Sequence, residues 1–221
     1  MSISQRQTAS GRPLRVAPAW VGAARPVADD QGLPVREVVW IWSVRRSARG
    51  ALWALPLGAV LHGWSTLGVG PPPGPLLIRL ATNWLLIVGA IALAGLLAGS
   101  RTHRTAMVGL LVGLLGALLL LPLAALPHGA APAGIAMNPG QLRVATLVAV
   151  GITGLGWLLL GWAVFRSKLV NPADGVLLML AAASIGAGTY AVEPLPTVGA
   201  LLMLAAGMGL AWTGNRLIPP T

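Results

Sequence analysis

From Thr105 to Pro127 the chain reads TAMVGLLVGLLGALLLLPLAALP without one charged residue, between Arg101, His103 and Arg104 on one side and His128-Gly129 on the other. At a rise of roughly 1.5 Å per residue this run reaches about 34 Å as a helix, enough to cross the hydrocarbon core of a bilayer. Five more uncharged or nearly uncharged runs flank it: 51–70, 76–99, 143–165, 175–192 and 197–213. Between them stand short punctuators: PPPGP at 71–75, RTHR at 101–104, a small-residue loop from His128 to Gln141, Arg166-Ser167-Lys168, and Glu193-Pro194-Leu195-Pro196. The first run is the weakest, because Pro56 is expected to kink it and His62, Ser65 and Thr66 lower its hydrophobicity. PPPGP is expected to be a non-helical turn, and Asn171-Pro172-Ala173-Asp174 a turn with Asp174 as the N-cap of the fifth span.

The pattern predicts an all-α polytopic membrane protein: a bundle of six transmembrane helices (50–216) with an N-terminal cytoplasmic amphipathic helix and a short cytoplasmic tail at 217–221. Residues 1–34 carry prolines at 13, 18, 26 and 34, too closely spaced for a long helix. They read as an irregular basic cytoplasmic arm. In residues 35–49, Val35, Val38, Val39 and Trp42 share one helical face, while Arg36, Glu37, Ser43 and Arg46 occupy much of the rest. With Trp40 and Trp42 suited to the headgroup layer, this segment is expected to lie on the cytoplasmic leaflet. A plain helical extension of the first span is the other reading. Arg45-Arg46 also invites an export-signal reading, but no small-residue cleavage site follows.

Charge fixes the orientation. Of the 15 basic residues, eight (Arg6, Arg12, Arg15, Arg25, Arg36, Arg45, Arg46, Arg49) precede residue 50. Arg101, Arg104, Arg166, Lys168 and Arg216 fall on the same side when the runs are threaded alternately, and Arg79 and Arg143 on the other. Lys and Arg are retained on the cytoplasmic side, so both termini are expected inside, in a bacterial-type plasma (inner) membrane. Only 9% of residues are charged, against about 25% in soluble domains. The net charge of +10 therefore reads as topology and attraction to anionic headgroups, with Arg45, Arg46, Arg49, Trp40 and Trp42 as the lipid contacts. Nucleic acid is not expected as a partner, because no binding fold accompanies the charge. With no cysteine in the chain, thiolate chemistry is excluded.

Small residues form the clearest constellation. Gly95 and Gly99, and Gly109 and Gly113, have the spacing that lets helix backbones approach closely in lipid. Among polar residues inside the runs, His62 is the one candidate cofactor ligand, toward haem or a chlorophyll-type magnesium. A histidine hydrogen-bonded to a neighbouring helix is the plainer reading. Asn83, Thr189 and Tyr190 are candidates for substrate or helix contact. Trp162 and Trp212 each stand four residues before an arginine, Arg166 and Arg216, which hints at a repeated hairpin that topology alone also produces. No nucleophile elbow, zinc motif or phosphate loop is present, so no catalytic residue and no metal site are nominated. The expected function is a non-catalytic membrane subunit that packs against partner membrane proteins, pigments or lipids. A small permease or substrate-binding component for an uncharged solute is the alternative.

Overall fold

The computed structural model describes residues 35–66, 74–125, 139–188 and 194–217, and every element in them is helical. The helices are α1 (Val35–Ala51), α2 (Ala54–Thr66), α3 (Gly74–Leu96), α4 (His103–Ala125), α5 (Pro139–Ser167), α6 (Pro172–Gly188) and α7 (Pro194–Leu217). The chain divides into two units, 1–44 and 45–221. Of the first, only the opening of α1 is described. There Ser43 donates its hydroxyl to the Trp40 carbonyl at 2.8 Å, and Val39 and Trp40 are exposed.

Several helix boundaries differ from those expected, and proline accounts for most of the differences. Proline is tolerated in the first turn of a helix, where its missing N–H would have had no partner. Accordingly α3 begins at Gly74-Pro75, α5 at Pro139 and α7 at Pro194, residues expected in turns. Pro56 sits in the first turn of α2, so it starts that helix instead of kinking it. Pro122 lies inside α4, on an exposed position. The cap of α6 is Asn171, not Asp174. Asn171 Oδ1 accepts from the Ala173 amide at 3.2 Å, Pro172 follows it, and Asp174 falls within the first turn.

Four helical stretches are long and apolar enough to cross a membrane: Leu77–Leu96, His103–Leu123, Gly140–Ser167 and Pro194–Leu217. α6 is apolar but shorter, and α2 has 13 residues, about 20 Å at roughly 1.5 Å each. Residues 67–70, which the expected first span included, lie outside the described residues. The build is that of a membrane-embedded protein.

Within the unit 45–221 the helices follow one another around a closed circuit, each against the next, with α7 returning to α2. Neighbours are antiparallel throughout. One end therefore gathers the C-termini of α3, α5 and α7 with the N-termini of α2, α4 and α6, and two bonds tie it. Arg45 donates from Nη2 to the Ala98 carbonyl at 2.7 Å, satisfying an acceptor just beyond α3. Arg49 donates from Nε to Asn215 Oδ1 at 2.9 Å. At the opposite end the hydroxyls of Thr66 and Thr197 meet at 3.0 Å.

The core inverts the usual size order. Buried positions are mostly alanine and glycine, around a few enclosed leucines such as Leu52, Leu55, Leu93, Leu97, Leu178 and Leu210. Large side chains such as Trp84, Leu111, Leu118, Leu201 and Trp212 face outward. A bilayer supplies little hydrophobic drive between helices, so cohesion comes from close backbone approach, which small residues permit.

Candidate functional site: the seam between α3 and α4

Five of the six junctions in the circuit are closed by a glycine against a neighbouring helix. A Cβ at Gly89 would overlap Leu55 (α2–α3), one at Gly156 would overlap the backbone of Gly113 (α4–α5), and one at Gly175 would lie 2.6 Å from Phe165 N (α5–α6). Gly199 stands likewise 2.7 Å from Ile185 Cγ1 (α6–α7), and Gly207 2.9 Å from Pro56 N (α7–α2). None of the other close glycine contacts joins α3 to α4, and that junction is the sparsest of the six. α5 lies behind it and reaches α3 directly.

A half-open void of about 40 Å³ lies in this seam. α3 contributes Asn83, Leu86, Ile87 and Ala90; α4 contributes Leu110, Gly113, Leu114 and Ala117; α5 contributes Thr153, Trp157 and Leu160. Ile87 and Leu114 are half-buried and adjoin the exposed stripes Trp84-Val88-Ile91 and Leu111-Leu115-Leu118, so the void is reached from the outer surface between the two helices. Its polar groups are all neutral. Thr153 donates its hydroxyl to the Ala149 carbonyl at 2.8 Å, and its oxygen packs close to Gly116 of α4. Asn83 is half-buried and makes no hydrogen bond among the described residues.

His62 lies on the other side of α3. Gly58 meets Leu86 and Gly89 meets Leu55 across the α2–α3 contact, and the same antiparallel register carried one turn further sets His62 opposite Thr82. Thr82 is 5% exposed. His62 Nε2 and Thr82 Oγ1 are both fully enclosed and have no hydrogen-bond partner among the described residues. Arg79, one turn along α3 from Thr82, is the charged neighbour of His62. The structure therefore separates His62 from Asn83: the two occupy opposite flanks of α3 and do not line a common cavity.

The remaining candidates are placed as follows. Gly109 and Gly113 sit on the α4–α5 crossing, with a Cβ at Gly109 reaching Leu160 N at 3.0 Å. Gly95 is half-buried in the last turn of α3, whereas Gly99 has left the helix. At φ 73° Gly99 is an exposed turn residue closing the C-terminus of α3, so it belongs to a cap and not to a packing pair. Trp42 is half-buried and Arg46 exposed. Thr189 and Tyr190 lie outside the described residues. The two Trp–Arg spacings are physical pairs, with the Arg166 guanidinium 5.7 Å from the Trp162 ring and that of Arg216 5.3 Å from Trp212.

Sequence reasoning missed three participants. Thr82 was invisible because a threonine in an apolar helix signals nothing until its partner helix is known. Gly156 has no glycine four residues away, yet it makes the closest approach in the α4–α5 crossing. Asn215 fell between the last expected span and the tail with no role assigned, although its side chain accepts from Arg49 and joins the ends of the circuit. No family model, curated protein or solved structure matches the chain.

Proposed function

We propose that the protein is a non-catalytic integral subunit of a bacterial-type plasma membrane, crossing it six times with both termini in the cytoplasm and packing against partner membrane proteins and lipids. The observation that carries this reading is the size inversion of the body. Its interior is spent on closing helices against one another around a few enclosed leucines, and many of its large apolar side chains are offered outward. The Arg49–Asn215 bond supports the even number of crossings, because it joins the entry of α2 to the exit of α7 at one end. Arg45, Arg101, Arg104, Arg166, Lys168 and Arg216 gather at that same end, as expected for a face held against cytoplasmic anionic lipid. The permease alternative is less well supported, because α3 holds His62 and Asn83 apart and the void beside Asn83 is the size of one or two small groups.

Two measurements test the reading. Extraction in mild detergent should yield the chain in stoichiometric association with other membrane polypeptides, and a monodisperse single chain defeats the subunit assignment. Reporter tags at Met1 and Thr221 should both read cytoplasmic, and opposite readings defeat the six-crossing scheme. An absorption spectrum of the purified complex that changes on His62→Ala would replace this reading with the pigment or haem one.

A further inference from the structure

We infer that the α3–α4 seam is a lateral binding site for one uncharged amphiphile dissolved in the bilayer, held by a hydroxyl head that enters the void beside Asn83. The inference rests on the membrane-embedded reading above and adds a ligand class to it. Four features select that chemistry. Among the described residues the void adjoins two exposed apolar stripes, so its occupant arrives from lipid. Its polar atoms are neutral, and a charged head would find no counter-charge there.

Hydrogen-bond chemistry narrows the head further. Asn83 presents both a donor and an acceptor. Thr153 offers no donor, because its proton is committed to Ala149 and its oxygen packs near Gly116. A hydroxyl suits Asn83 in either orientation of its amide, because it both donates and accepts. Size sets the last limit: about 40 Å³ admits a hydroxymethyl group and leaves the apolar chain to lie in the seam against Leu86 and Leu114. The loose seam is the fold's exception, and the void lies where neighbouring helices are least closely packed.

The test uses the full chain in phospholipid vesicles and a long-chain primary alcohol carrying a diazirine beside its hydroxyl, with the matching alkane as control. On photolysis the alcohol should label Leu114, Ala117 or Trp157 at least several-fold more than the alkane does. Labelling there should fall to the alkane level in Asn83→Leu and in the void-filling Ala117→Leu, while both probes continue to mark Leu180 and Leu201 on the far surface. Equal labelling of the seam by the two probes overturns the inference, as does alcohol labelling that survives Asn83→Leu in a protein still marked at Leu180 and Leu201. Failure of either probe to reach Leu180 and Leu201 counts instead against the membrane-embedded reading. That outcome is separable, because it does not depend on the seam.

Discussion

Gly156 and Gly113 face each other across the α4–α5 crossing, yet they should respond to the same substitution in opposite ways. A Cβ at Gly156 would land inside van der Waals contact with the backbone of Gly113, 2.9 Å from the Gly109 carbonyl oxygen as well. Backbone cannot rotate away, so Gly156→Ala must push α4 off α5. Overpacking of this kind costs about 1–3 kcal/mol. A gap of up to an ångström also forfeits about a quarter to a half of each lost contact. Alanine's better helix propensity returns about 1 kcal/mol at most, leaving a net loss of about 2 kcal/mol. A Cβ at Gly113, in contrast, meets Gly156 Cα at 3.7 Å, an ordinary contact, so Gly113→Ala should be neutral or gain about 0.5 kcal/mol. Thermal unfolding of the detergent-purified protein, followed by tryptophan emission, reads the difference. With a Tm shift of about 2–4 °C per kcal/mol for a chain of this size, Gly156→Ala should melt about 5 °C below Gly113→Ala. Equal losses in the two variants would refute the reasoning, because they would mean that the glycine spacing and not the measured approach sets the tolerance.

Thr82→Val should stabilise the protein by about 1 kcal/mol, because it removes an enclosed hydroxyl that has no partner among the described residues; a loss on thermal unfolding would show that Thr82 is hydrogen-bonded in the native protein. Lys168 holds a left-handed backbone, φ 54°, at the close of α5. Lys168→Gly should therefore be more stable than Lys168→Ala by about 1 kcal/mol, both variants having lost the same charge. Asp174 precedes the stretch assigned to the membrane and is 7% exposed, and burial raises its carboxyl above the ordinary carboxylate range. In the window between the ordinary and the raised value the folded chain holds more protons than the unfolded one, so stability contributed by the protonated group is lost as pH rises through it. Asp174→Asn should flatten that acid-side slope in a melting-temperature series and should match or exceed the parent near neutrality; a slope unchanged by the substitution sinks the assignment.

How far the sequence could be read depended on whether a feature is local. Apolar runs and the arginines between them are local, and they gave the helices α3, α4, α5 and α7 to within a few residues of their observed ends. The misplaced ends lie at Pro75, Pro139 and Pro194, where the same residue serves as a helix stop or a first-turn start and only the surrounding chain decides. Packing is not local. The pair Gly95 and Gly99 has the same spacing as Gly109 and Gly113, but Gly99 lies past the end of its helix and its freedom goes into a positive φ. Conversely, Gly156 became visible only once α4 was laid against it.

α3 shows why the candidate site resisted sequence reasoning most. Thr82 and Asn83 are adjacent, and an α-helix turns about 100° between adjacent residues, so they serve different neighbours. Thr82 follows the α2 register set by Gly58 and Gly89, while Asn83 turns toward α4 and α5. The two flanks differ in how they are closed. Toward α2, glycine contacts seal the interface so fully that the polar atoms of His62 and Thr82 are enclosed. Toward α4 the packing is sparser, and Asn83 and Thr153 line a half-open void. A buried polar group gains function from access, and access here follows from the sparser packing more than from the polar residue itself. His62 is the more conspicuous residue in the sequence, but the void lies on the loosely closed flank, beside Asn83, where the binding site is proposed.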